Sequence, residues 1–125
     1  MTTVQHTIVA LVEDKPGVLN RIASMFRRRG FNIDSIAVGH SEIPNQSRVT
    51  IVVDGTTTMV EQVRKQLAKI IDVVKISDIT NEDIVTRELA LFKIKANSTT
   101  RSEIIQIVSI FRANIVDVAT DSVTV

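Results

Sequence analysis

The chain has 125 residues and a mass of 13.8 kDa, which is enough for one domain of ordinary size or two small ones. It holds 17 Ile and 18 Val against 5 Leu, which favours β-sheet. It contains no Cys, which excludes disulfides, thiolate metal sites and a cysteine nucleophile. The net charge is only +1, no apolar run reaches the roughly 18 residues of a membrane helix, and the N-terminus lacks a secretory pattern. We therefore expect a cytoplasmic protein that binds neither membrane nor nucleic acid. The one basic run, Arg27-Arg28-Arg29, is interpreted as the solvated end of a helix, with a phosphate- or partner-binding patch as the alternative.

The first 80 residues predict six elements in the order β-α-β-β-α-β. An apolar strand ends at the turn Glu13 to Gly17, after which apolar residues recur at helical spacing until Gly30. The strands are predicted at Val4–Val12, Phe31–Gly39, Arg48–Asp54 and Ile71–Ile79, and the helices from Val18 and from a capping box at Thr58 to Glu61. This order indicates the α+β, ferredoxin-like fold, with four antiparallel strands and two helices on one face.

The remaining residues predict a second, partial ferredoxin-like unit after a polar linker. Its elements are a strand at Val85–Ala96, a helix opened by a capping box at Thr100 to Glu103, and strands starting at Ile115 and Val123. Phe26-Arg27 and Phe111-Arg112 match at helix ends, which indicates an internal repeat with a spacing of 85 residues. We predict domains at residues 1–80 and 81–125. A half-domain leaves one face and one edge strand of its sheet uncovered. We therefore expect the second domain to be mobile or covered by another subunit.

The sequence contains no motif of the common nucleotide-binding or hydrolytic enzymes. Its histidines, His6 and His40, lie on different elements, and neither has a metal ligand three or four residues further along. Glu13 and Asp14 are neighbours in a turn rather than opposed across a cleft. We therefore predict no catalytic residue, no metal site and no cofactor in this chain.

The segment from Asp14 to Leu19 is the candidate site, and its structural interpretation is a strand-to-helix turn. Asp14 or Lys15 then caps the helix, Pro16 lies near its first position, and Gly17 lets two backbones pass closely.

A functional interpretation of the same segment stays open beside the structural one. The free N–H groups and the positive end of the helix suit a carboxylate, and Asp14 suits an ammonium group. Asn32, at the start of the next strand, adds an amide, and an apolar wall is formed by Val12, Val18 and Ile33. This combination is that of a site for an aliphatic amino acid.

Several segments resemble one protein family over nearly the whole chain. The D-x-P-G-x-L turn of residues 14–19 is similar to that of ACT domains in general. More specific are Arg29 to Ser35 and Arg87 to Ile94, which resemble the small regulatory subunit of acetohydroxyacid (acetolactate) synthase. The family continues beyond the position of Val125, so the chain resembles a truncated member.

The resemblance implies a non-catalytic regulatory subunit that binds a larger catalytic subunit carrying thiamine diphosphate, FAD and magnesium. That partner condenses pyruvate with a second 2-oxo acid. The regulatory chain raises its activity and confers feedback inhibition by a branched-chain amino acid, usually valine.

The resemblance also implies a homodimer in which the effector binds between two ACT domains. The positions that match the family's effector site are Asp14, Gly17, Val18 and Leu19, with Asn32 and Ile33 from the neighbouring chain. Family members often carry Asn at the position of Asp14, and an acidic residue there is expected to strengthen ammonium binding or alter the preferred effector.

Two other functions stay open. One is a free-standing ACT amino-acid sensor that regulates another metabolic or transcriptional partner. The other is a small enzyme on a ferredoxin-like scaffold, since a fold does not settle function.

Overall fold

The computed structural model describes residues 4–125, which divide into two compact units. The first unit ends at Ile84 and the second covers Val85–Val125. The predicted domains at residues 1–80 and 81–125 stay a prediction as independent folding units.

The first unit has the predicted order of elements. They are β1 (Val4–Glu13), α1 (Val18–Arg29), β2 (Ser35–His40), β3 (Gln46–Gly55), α2 (Thr57–Ala68) and β4 (Val73–Asp78). The strands form one antiparallel sheet in the order β2-β3-β1-β4. The ferredoxin-like prediction is therefore confirmed.

The core lies between this sheet and its two helices. Ile8 pairs with Ile51 and Ala10 with Val49, and all four side chains are buried on the helix side because strand residues alternate between faces. Phe26 is buried on α1 and meets Phe31 edge-on, with ring centroids 6.5 Å apart. Each aliphatic side chain buried in this way contributes about 1.5–3 kcal/mol.

The prediction for α1 is wrong at its N-terminal end and correct at its C-terminal end. The N-cap is Gly17, in a left-handed conformation with φ +84°, and no side chain caps the helix. The prediction that Asp14 or Lys15 is the cap is wrong, because the helix starts at Val18 and both residues lie too far ahead of it. Gly30 ends the helix at φ +70°, as predicted, and the arginines of the last turn are exposed.

Neither predicted capping box forms its hydrogen bonds, although the second one is correctly placed at the start of α3. Thr56, in extended conformation, caps α2 by accepting a hydrogen bond from Met59 N–H at 3.3 Å, so Thr58 already lies inside the helix. The N-cap of α3 (Arg101–Ile110) is Thr100, whose side chain does not cap the helix; instead, Asn97 Oδ1 accepts the Thr99 and Thr100 N–H groups at 2.9 Å. In the threonine-rich segment before α2 several residues can cap, and backbone conformation selects one.

The second unit is small and contains one helix and three strands. They are β5 (Lys93–Lys95), β6 (Asp117–Val118) and β7 (Ser122–Thr124), with α3 between β5 and β6 and a sheet order of β5-β7-β6. The predicted long strand at Val85–Ala96 is wrong, because β5 pairs only with the three residues of β7.

The internal repeat is present with a different spacing. Phe31 N–H bonds to Phe26 O at the end of α1, and Ala113 N–H bonds to Val108 O in the same way after α3. Arg112, with φ +54°, takes the place of Gly30, so the spacing between equivalent residues is 82 and the predicted match of Phe26 with Phe111 is wrong. In this register Ile110 and Phe111, both highly exposed, replace the exposed Arg28 and Arg29.

Candidate functional site

The turn between β1 and α1 leaves the start of α1 without a side-chain cap. Gly17 has no side chain to offer, and the first turn holds no acidic residue. The N–H groups of a first helical turn have no partner within the helix, and they carry the positive end of the helix dipole. Val18 N–H donates to Lys15 O at 3.5 Å, and the N–H groups that follow it present donors and positive potential suited to a carboxylate.

A cavity of about 140 Å³ lies beside this turn. Its lining combines aliphatic side chains with a few polar ones: Val12, Val18, Leu19, Ile22, Val38 and Val49, with Glu13, Asp14, Lys15 and Ser47. A cavity of about 150 Å³ lined by aliphatic side chains holds a molecule as large as benzene. The space therefore suits a compact branched side chain held next to polar groups.

Three of the six predicted site residues line this cavity, and the others do not. Asp14, Val18 and Leu19 do so, while Gly17 forms the adjacent cap. Asn32 and Ile33 lie in the connection before β2, which starts only at Ser35, so the prediction that Asn32 starts the strand is wrong. Asn32 is exposed and Ile33 packs partly against the core; their contribution from a neighbouring chain stays a prediction.

Charged side chains surround the mouth of the cavity in pairs. Lys15 Nζ lies 2.6 Å from Glu13 Oε2, and this hydrogen bond raises the pKa of Lys15 above its ordinary value. Asp14 Oδ2 lies 3.4 Å from Nδ1 of the exposed His40, and Asp14 N–H donates to Asn45 O at 2.9 Å. The backbone of Asp14 is thus fixed, while its carboxylate faces solvent and stays accessible to an ammonium group.

The sheet edge next to the cavity is only partly covered by the helices. Ile36 and Val38 of β2 pair with Ile51 and Val49 on the helix side, yet they are 41% and 50% exposed. Val38 also lines the cavity. The cavity therefore adjoins an apolar strip on an edge strand, the type of surface that associates with another strand.

The two histidines lie in different environments. His6 is buried on β1, with Nδ1 3.4 Å from Thr80 Oγ1 and 3.7 Å from Asp78 Oδ2. Within residues 4–125, no three His, Asp or Glu side chains come together as metal ligands. The helices of this part of the chain are all too short or too polar to cross a membrane.

Sequence reasoning missed three residues around the site. His40 lies beside Asp14, and Val38 lines the cavity from the edge strand. Asp72 is buried and pairs with Arg21 on α1, with Nε and Oδ2 2.7 Å apart. No spacing could have indicated this pair, because its members are 51 residues apart and meet through the sheet order.

Comparison with known proteins first identifies the class. The βαββαβ unit is an ACT domain: a family model described as "AHAS small subunit-like ACT domain" matches residues 8–75. The ACT domain of GTP pyrophosphokinase from Chlorobium tepidum shares the fold, with a TM-score of 0.57 at 19% identity over 71% of this chain and 100% of that one.

The particular family follows from matches over both units. A model described as "Small subunit of acetolactate synthase" matches residues 87–125. A putative acetolactate synthase small subunit of Mycobacterium tuberculosis is 52% identical over 100% of this chain and 74% of its own length. A probable one from Archaeoglobus fulgidus is 55% identical over 94% and 74%.

A solved structure agrees with these relatives. The acetolactate synthase small subunit of Thermotoga maritima matches with a TM-score of 0.89 and 42% identity over 97% of this chain and 76% of its own. The chain belongs to the family of acetolactate synthase small subunits.

Proposed function

We propose that this chain is a regulatory subunit of acetolactate synthase. It binds the catalytic subunit, raises its activity, and transmits feedback inhibition by a branched-chain amino acid, with valine as the first candidate. The observation that carries this proposal is the aliphatic cavity beside the uncapped start of α1, in a chain whose relatives are named small subunits of this enzyme.

The amino acid is proposed to bind by three groups at once. Its carboxylate accepts N–H groups at the start of α1, and its ammonium group meets Asp14. Its branched side chain enters the space between Leu19 and Val38. Gly17 keeps the approach to the helix end free of a Cβ atom.

The site is proposed to be completed in a homodimer. The edge strand β2 and its exposed Ile36 and Val38 support pairing between two copies at this side of the sheet. Asn32 and Ile33 of the second copy then close the cavity. A ligand that binds only the completed site favours one arrangement of the dimer, which is how occupancy would reach the partner enzyme.

The regulatory chain is proposed to act without catalysis or a cofactor of its own, in the cytoplasm. Thiamine diphosphate, FAD and magnesium belong to the catalytic partner in this account. The chain contributes binding free energy at two surfaces, one for the effector and one for the partner.

Reconstitution tests the proposal. The catalytic subunit from the same cell is assayed for acetolactate formation alone, with this chain, and with this chain plus valine, leucine or isoleucine. We expect higher activity with the chain and lower activity when one amino acid is added. If the chain neither co-purifies with the catalytic subunit nor changes its rate, the proposal is wrong. If the rate rises but no amino acid lowers it, the effector part is wrong.

A further inference from the structure

Asp72 contacts the turn of residues 13–17, the candidate effector turn, from a distant part of the chain. It lies between α2 and β4, and only 4% of its surface is exposed. Its carboxylate accepts a hydrogen bond from Arg21 Nε at 2.7 Å, and its main-chain oxygen accepts Glu13 N–H at 2.9 Å. Asp72 therefore contacts the last residue of β1 and the first turns of α1, on both sides of the effector turn.

Arg21 extends this contact to Gly17. Its N–H donates to Gly17 O at 3.0 Å, and its Nη1 lies 3.3 Å from the point where a Cβ atom on Gly17 would lie. Side chains of a helix lean toward its N-terminus, so the guanidinium of Arg21 lies against the cap. The left-handed Gly17 is thus held between its own helix and a cation that Asp72 orients.

An irregularity of β4 accompanies this arrangement. Leu11 pairs with Lys75 and Val12 with Val73, so Val74 is an extra residue in β4. A bulge of this kind re-aims the neighbouring side chains and is frequent beside functional sites. Here it lies two residues after Asp72, at the end of β1 that leads into the effector turn.

We infer that Asp72 is a positioning residue for the effector site, acting through Arg21. The pair fixes the turn of residues 13–17 in the shape that exposes the N–H groups of α1, and so raises affinity without Asp72 touching the ligand. A buried carboxylate with one strong partner is suited to this role, since losing the partner leaves a costly unpaired charge. This inference rests on the proposed function, because the ligand is the proposed branched-chain amino acid.

A double-mutant cycle on the intact chain tests the inference. Asp72→Asn keeps the shape and the main-chain acceptor, and Arg21→Gln removes the cation. The matched control is Glu61→Gln, which makes the same change in the exposed Glu61–Arg64 pair on α2, 2.9 Å long. Valine, leucine and isoleucine are titrated by calorimetry into each variant, and amide exchange of Gly17 to Asn20 is followed by NMR.

We expect Asp72→Asn and Arg21→Gln each to weaken affinity about tenfold, the double variant to be no weaker than either, and the control to match the parent chain. In the same variants, amide exchange should become faster at Gly17 to Asn20 and stay unchanged elsewhere. If the pair contributed only to overall stability, exchange would become faster throughout the unit. Unchanged affinity and exchange in folded Asp72→Asn protein would overturn the inference and leave the effector site standing. If the parent chain binds none of the three amino acids, the proposed effector function fails, and the exchange data alone decide whether Asp72 orders the turn.

Discussion

His40 Nδ1 lies 3.4 Å from Asp14 Oδ2, which places the end of the edge strand β2 directly beside the proposed ammonium receptor. His40 is 86% exposed in its side chain, so the pair is easily displaced and weak. The contact therefore bears on effector binding more than on stability.

His40→Gln should raise effector affinity, because the imidazole lies beside the Asp14 carboxylate that the ligand's ammonium group is proposed to meet. Calorimetric titration of valine into this variant and into the parent chain measures the change. Unchanged affinity would contradict competition between His40 and the ligand for Asp14.

Substitution of Gly17 should disturb both stability and binding. Gly17→Ala places a Cβ atom at φ +84° and 3.3 Å from Arg21 Nη1, so we expect a loss of about 1 kcal/mol or more in the free energy of unfolding and weaker valine binding. Gly17→Asp adds negative charge where the carboxylate binds and should abolish binding. Gly30→Ala is the matched control, since Gly30 has φ +70° and no atom within 4 Å of the added Cβ. It should lose similar stability while keeping its affinity.

The edge strand should control association. Val38→Lys places a charge on the half-exposed apolar strip of β2 and should shift the chain toward monomer in sedimentation, with a loss of valine affinity. Met59→Lys is the control, because Met59 is 36% exposed on α2 rather than on an edge of the sheet. If both variants sediment like the parent chain, β2 is not the dimer edge.

Acid stability should depend on Thr80. Burial raises the pKa of Asp78, but hydrogen bonds from the side chain and backbone of Thr80, together with His6, outweigh it and leave the pKa below its ordinary value. A lowered folded pKa stabilises the protein above the unfolded value of 3.8, and this contribution is lost as the pH falls through the folded value. Thr80→Val should therefore reduce the acid sensitivity of thermal unfolding.

At neutral pH Thr80→Val should also cost about 1 kcal/mol, because Thr80 Oγ1 accepts Thr7 N–H at 3.1 Å. Denaturant unfolding at pH 7 and at pH 3.5 compares the two effects. An equal loss at both pH values would contradict the role given to Asp78.

The fold of the first unit could be predicted from sequence because its signals are periodic and local. Alternation along β3 and the stripe from Val18 to Phe26 each define one buried face, and Gly17 and Gly30 mark the two ends of α1. The second unit was harder to predict, because a segment forms a β-strand only where another strand pairs with it. In the run Val85 to Ala96, Ala90, Phe92, Ile94 and Ala96 alternate as in a strand, yet only three residues of the run form β5.

The part of the candidate site that is continuous in sequence could be predicted. The part that comes together only through the order of strands in the sheet could not. Asp14, Val18 and Leu19 follow one another along the chain and all line the cavity. His40 and Asp72 reach the same turn from β2 and from the connection before β4. Neither has a sequence signal that points to residue 14 or 21, because their contacts depend on which strands are neighbours.

The most direct test of the central claim follows the backbone amides during titration with valine. In NMR spectra of the ¹⁵N-labelled chain, we predict saturable shifts concentrated on Val18, Leu19 and Asn20, with small changes at Met59 and Val60 near the start of α2, which Thr56 already caps. Saturating valine without shifts at the start of α1, or with its largest shifts elsewhere, would contradict the proposed site.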